Sequence, residues 1–254
     1  MISLLHTALV VIAVVLCLII GIPVSALTWL VGKFNPDKRE EMNFRWVQSG
    51  FRMVMFLTGG SVKVIGLENI PKDRAVLFVS NHRSFFDTVI PGSHLPNRTA
   101  FVAKKETEKV PLLRDWMKRI HCFFLDREDI KNGVEMIDHT VSLIKSGVSV
   151  FICPEGTRNR REGTLLDFHG GSFKIAIRSG APIIPVTQVF TGDILEDHFP
   201  KIKPAHVTIV YGEPIETAGI PIAQRKQIPD KCREIIETTY QKYAAESRIS
   251  GAEK

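Results

Sequence analysis

The side chains in this sequence best suited to chemistry stand where apolar runs end. In "VLFVSNHRSFFDTVI", Val76 to Ile90, an apolar run breaks into Asn81-His82, and Asp87 follows five positions later. A neutral imidazole is well tuned to accept a proton near pH 7, and a carboxylate on its second ring nitrogen fixes tautomer and orientation. Five positions turn through roughly 500° on an ideal helix, so the two can meet only if His82 sits in the turn before the first regular helical turn. Ser80 or Asn81 can cap a helix starting there, and the positive potential at its N-terminus favours the uncharged imidazole. The plain alternative is a helix cap beside a surface acid.

A second such place is "FICPEGTRNRREG". Pro154 stops a strand, and Gly156 permits an unusual backbone conformation. Thr157 and Arg158 can donate to a phosphate, the guanidinium bidentately. Glu155 can hold an arginine or bond a substrate hydroxyl. The alternative is an exposed charged loop. Between Asn97 and Arg119 lie seven Lys or Arg (98, 104, 105, 109, 114, 118, 119) against three acids (106, 108, 115), a local net of +4. An anionic substrate or membrane surface accounts for such a patch.

These positions need elements to hold them. Strand-like runs are 75–80, 99–104, 120–125, 149–153, 183–190 and 206–212, with helix-like segments between them. The clearest helix is 129–146, with Val134, Ile137, Val141 and Ile144 on one face and Asp126 or Asp129 as cap. Residues 222–245 read as a C-terminal helix broken by Pro229. Alternating elements predict an α/β fold, a mostly parallel sheet flanked by helices, and ligands in such sheets bind beyond the carboxyl ends of the strands. His82, Lys104, Arg127 and the 154–158 loop all follow predicted strands.

The N-terminal part is different. Ala8 to Val31 carries no charge, and about 20 apolar residues suffice to cross a bilayer. We expect a retained membrane anchor rather than a signal peptide, kinked or made re-entrant by Pro23. Lys33, Lys38 and Arg39 then place the body on the cytoplasmic side. Phe44, Val47, Phe51 and Val54 recur at helical spacing, which predicts an amphipathic helix either on the core or in the lipid interface. The expected division is 1–57, membrane-anchoring and interfacial helices, and 58–254, the catalytic domain.

Bulk properties agree. Net charge is +6 and the isoelectric point about 9.2. No helix-turn-helix, RNP-like or zinc-finger pattern is present, so no nucleic-acid partner is expected. Cys17, Cys122, Cys153 and Cys232 form no C-x-x-C pair, and for the first three, which lie in apolar or strand-like runs, the expectation is buried, reduced thiols. The other histidines form no metal-ligand set.

Taken in order, Asn81-His82-x-x-x-x-Asp87, "FFLDR", "PEGTR" and "APIIPV" resemble the 1-acylglycerol-3-phosphate acyltransferase family of glycerolipid enzymes, over roughly residues 66–214. The resemblance implies transfer of a fatty acyl group from acyl-CoA or acyl carrier protein to the sn-2 hydroxyl of a lysophospholipid, giving phosphatidic acid. It implies that His82 is the base and Asp87 its orienting partner. It implies that Lys104, Arg127, Glu155, Gly156, Thr157 and Arg158 handle the glycerol phosphate, and that Pro185 shapes the acyl-donor side. It implies no metal or organic cofactor, and a catalytic domain on the cytoplasmic face of a membrane, a bacterial inner membrane being expected. Two departures bear on the acceptor. His121 stands where the family usually has glycine, and Trp116 where small or Phe-Gly residues are common. Another acceptor, a hydrolase using water, and a non-catalytic lipid-binding protein stay open as rival readings.

Overall fold

The computed structural model describes residues 2–252, with side chains from 4 to 246. Helix α1 (Ile2–Gly32) is 31 residues, about 45 Å at 1.5 Å per residue. It runs unbroken through Pro23, although that proline cannot donate to the carbonyl one turn back. Leu9, Ile12, Leu16, Ile20 and Leu27 are all exposed on it. By length and composition, residues Leu4–Gly32 are sufficient to cross a membrane. Asn35 then caps α2 (Pro36–Thr58), accepting from Lys38 N–H at 2.9 Å with Pro36 in the first turn. The two helices form an antiparallel hairpin, with His6 bonded to the Leu57 carbonyl at 2.7 Å. The apolar face of α2 lies on the core, so of the two settings expected for it this helix takes the first.

The chain continues through β1 (Ser61–Ile65), β2 (Leu77–Ser80), α3 (Phe86–His94), β3 (Thr99–Lys104), α4 (Pro111–Arg119) and β4 (Phe123–Leu125). Then come α5 (Ile130–Lys145), β5 (Ser149–Ile152), α6 (Lys174–Ser179), β6 (Ile183–Val189), β7 (His206–Tyr211), α7 (Ile222–Arg225) and α8 (Ile228–Ala252). The seven strands form one sheet in the order β1-β7-β6-β2-β5-β3-β4. β6, β2, β5, β3 and β4 are parallel, while β7 pairs antiparallel with β6 and carries β1 with it. Every residue of β2, β5 and β6 is buried, which is why these strands read as continuous apolar runs. β1, an edge strand with Lys63 at its centre, was not among the predicted strands.

Helices α2 and α3 cover one face, over Phe78, Phe101, Phe151 and Tyr211. Helices α5, α6 and α8 cover the other, over Leu77, Val79, Val150 and Ile183. Asp129 caps α5, accepting from Lys131 and Asn132 N–H, as the sequence suggests. Pro229 does not break the C-terminal helix. The interruption falls at Lys226-Gln227, and Pro229 occupies the first turn of α8, where its missing N–H costs nothing.

Candidate active site

β2 delivers its last residues to the carboxyl edge of the sheet, and residues 81–84 form an extended loop before α3 begins at Phe86. His82 therefore lies ahead of the first helical turn, as its pairing with Asp87 requires. The imidazole Nδ1–H donates to Asp87 Oδ2 at 2.9 Å. The same oxygen accepts the Arg83 N–H at 2.5 Å and the Ser84 N–H at 2.7 Å. The other carboxylate oxygen accepts the Thr191 hydroxyl at 2.6 Å. Asp87 is fully buried, so these four donors replace its hydration. Capping of α3 comes from Ser84 and Asp87, not from Ser80 or Asn81: Ser84 Oγ accepts the Phe86 N–H at 3.0 Å while Asp87 returns to Ser84.

Asn81 does something else. Its amide donates to the Gln188 carbonyl and accepts from the Gln188 N–H, each at 2.8 Å, so a side chain adds one more rung between β2 and β6. Gln188 Nε2 then donates to Ser80 Oγ and to the Asp87 carbonyl, both at 3.0 Å. That carbonyl needs a donor, because Pro91 stands four residues on and has no N–H to offer.

Glu155 of "PEGTR" turns inward. Its Oε1 accepts the His82 N–H at 2.7 Å and its Oε2 the Leu166 N–H at 2.9 Å, with the side chain buried. The His82 carbonyl accepts the Asn159 N–H at 2.7 Å. Both Glu155 oxygens are committed to backbone, and this residue fixes the loop that carries the histidine. Gly156 adopts a left-handed φ of 68°, and a Cβ there would press on the His169 ring at 3.1 Å.

The cationic residues gather less tightly. Arg158 pairs with Glu196 at 3.2 Å and stacks 3.8 Å over the Phe85 ring. Arg127 is exposed and within electrostatic reach of Arg158 and Glu106. Lys104 ends β3 and pairs with Glu106 at 2.9 Å. Thr157 is exposed on the loop. Pro185 is buried inside β6 opposite Val79, three residues before Gln188. The local positive excess is partly spent on neighbours, since Lys105 pairs with Asp126 and Lys118 with Glu108.

The electrostatics separate two half-buried histidines. Burial pushes His94 down to about 4, with a lesser contribution from Arg52. Desolvation also pulls on His82, yet Cys153 and Asp87 turn its net shift upward from 6.5. Burial raises the Cys153 thiol itself, leaving it neutral near pH 7. Asp87 is therefore the group that stabilises the imidazolium there.

Sequence reading did not find Thr191, Gln188, Glu196 or Cys153. The first three reach the site from β6 (Gln188) and the segment after it (Thr191, Glu196), over a hundred residues from His82, with no motif to mark them. Cys153 carried one signal, its place one residue past β5.

The family model described as Acyltransferase matches residues 61–189. A chloroplastic 1-acyl-sn-glycerol-3-phosphate acyltransferase of Brassica napus is 37% identical over 131 residues, 51% of this chain and 38% of that protein. A 1-acyl-sn-glycerol-3-phosphate acyltransferase of Saccharomyces cerevisiae is 26% identical over 234 residues, 91% of this chain and 75% of that protein. The chain thus spans well under half the length of the plant relative. The crystal structure of PlsC, the 1-acyl-sn-glycerophosphate acyltransferase of Thermotoga maritima, shares the fold, with TM-score 0.81 at 22% identity and 96% of both chains covered.

Proposed function

The chain belongs to the acyltransferase family, and we propose that it transfers a fatty acyl group from a thioester, acyl-CoA or acyl carrier protein, to the sn-2 hydroxyl of 1-acylglycerol 3-phosphate, giving phosphatidic acid. The observation that carries this reading is the 2.9 Å bond from His82 Nδ1–H to an Asp87 carboxylate that accepts from three further donors. With Nδ1–H engaged by Asp87, Nε2 is the ring nitrogen left to accept a proton. It takes the acceptor's hydroxyl proton as that oxygen attacks the thioester carbon. The tetrahedral intermediate collapses, the C–S bond breaks, and the imidazolium returns the proton to the leaving thiolate. Arg158, Arg127 and Lys104 hold the phosphate, which converts encounter into orientation. Glu155, Thr191 and Gln188 act through the backbone or through Asp87 and are positioning residues.

The exposed apolar length of α1 supports membrane attachment. Lys33, Lys38 and Arg39 just beyond it support a body on the cytoplasmic face, in bacteria that of the inner membrane.

The test is an acceptor and donor panel on detergent-purified protein: lysophosphatidic acid, other lysophospholipids and glycerol 3-phosphate, each with acyl-CoA and with acyl carrier protein thioester. Phosphatidic acid formed from lysophosphatidic acid above the others supports the reading. Preference for another acceptor replaces it.

A further inference from the structure

Three donors converge beside His82 on one carboxylate. Glu196 Oε1 accepts the Phe85 N–H at 2.8 Å and the Arg158 Nη1–H at 3.2 Å. Glu196 Oε2 accepts the Ser84 hydroxyl at 2.6 Å. The side chain is only 15% exposed. A hydroxyl, a backbone N–H and a guanidinium pointing at one spot make an anion cradle. Ser84 and Phe85 lie two and three residues after His82 and Arg158 three after Glu155, so the cradle is built by the two loops that hold the base.

Glu196 is well placed to leave. Its segment is secured on either side by other residues: Thr191 bonds Asp87, and Asp197 pairs with Arg83, which also holds Glu162 at 3.1 Å. A side-chain rotation at Glu196 frees the three donors without moving those anchors. The rival for the cradle is then a matter of charge. A carboxylate brings one negative charge, whereas a phosphate monoester brings about 1.5 to 2 and three acceptor oxygens. A phosphodiester brings one and gains nothing by displacing Glu196.

We infer that Ser84 Oγ and the Phe85 N–H join Arg158 in holding the acceptor's phosphate, and that Glu196 occupies their place in the free protein as an internal anion that only a phosphate monoester displaces. The inference rests on the acyltransferase reading. Glu196 is thereby a specificity residue, setting monoester acceptors apart from lysophospholipids with diester head groups.

The experiment is titration calorimetry of the full-length protein in detergent with glycerol 3-phosphate and with glycerophosphocholine. Wild type, Glu196→Gln, Glu196→Asp, Asp197→Asn and the double variant Glu196→Gln/Arg158→Ala are compared. Gln keeps an acceptor for Phe85 but removes the charge. The expected result is glycerol 3-phosphate binding at least fivefold tighter in Glu196→Gln, and a smaller gain in Glu196→Asp, whose carboxylate is drawn back. Asp197→Asn, with the same change in net charge, stays within twofold of wild type. The gain disappears in the double variant, and glycerophosphocholine becomes measurable only in Glu196→Gln. Equal or weaker glycerol 3-phosphate binding in both Glu196 variants overturns the inference, as does an equal gain in Asp197→Asn. Turnover of lysophosphatidic acid by the same wild-type preparation reports separately on the function, so a preparation that binds as expected but does not turn over counts against the reaction and not against the cradle.

Discussion

His82 and Asp87 are chemically ordinary residues made specific by their neighbours. In the proposed reaction His82 must be uncharged to act, and its partner raises the pKa of its conjugate acid above 6.5. The expected kcat/KM therefore climbs with pH through a point above 6.5, and Asp87→Asn brings that point down while lowering kcat by about 10²- to 10⁴-fold. A pH–rate series on both proteins checks the shift and the loss together. Stability has the opposite slope. The charged histidine's contribution is fully present below the unfolded value of 6.5 and is lost as pH rises through the raised folded value. Thr191→Val is a subtler change. It leaves one oxygen of a buried carboxylate without its donor, at a cost of about 1–3 kcal/mol, and thermal melts should show it. The His–Asp spacing was legible because the pair is local. Thr191 was not, because its bond to Asp87 spans 104 residues, and only the folded sheet brings β6 beside β2.

Among elements, β2 and β6 carry the site between them. The side-chain rung from Asn81 to Gln188 extends their pairing past the last strand residue, and Gln188 also serves the carbonyl that Pro91 leaves without a helical donor. Gln188→Leu should cost about 1–3 kcal/mol per donor or acceptor left buried without a partner. It should lower kcat as well, since α3 carries Asp87; denaturant unfolding alongside steady-state kinetics separates the two effects. The buried parallel strands were readable as apolar runs, whereas β1 was not: none of its five residues is buried, and Lys63 and Val64 are exposed in succession. His121 shows what a departure from a family pattern means physically. Its φ of 60° keeps the left-handed backbone that a glycine there would favour, and its ring bonds Glu40 at 3.2 Å. His121→Gly is expected to leave turnover within twofold of wild type. Trp116, the other departure, is buried between α4 and α1, where Gly21 leaves room for its ring.

At the scale of the whole molecule, an α/β body sits against a helix whose outer surface is apolar along its length. Ile12, Leu16 and Ile20 lie on one stripe and are more than half exposed. Replacing all three by Asn should abolish co-flotation with lipid vesicles while turnover of micellar acceptor is retained. Unchanged flotation would remove α1 from the account of membrane attachment. The length and apolarity of this helix were plain in the sequence. The packing of α2 was not, because its periodicity suits a protein core and a lipid interface equally well.

The central claim is that His82 takes a proton from a phosphorylated glycerolipid hydroxyl as that oxygen attacks a thioester. The most direct measurement follows thiol release from a long-chain acyl-CoA, and phosphatidic acid formation, in one reaction with and without lysophosphatidic acid, for wild type and His82→Ala. The expected result is one thiol released per phosphatidic acid formed, none without acceptor, and loss of both in the variant. Thiol released at the same rate without acceptor, or a variant as active as wild type, would contradict it.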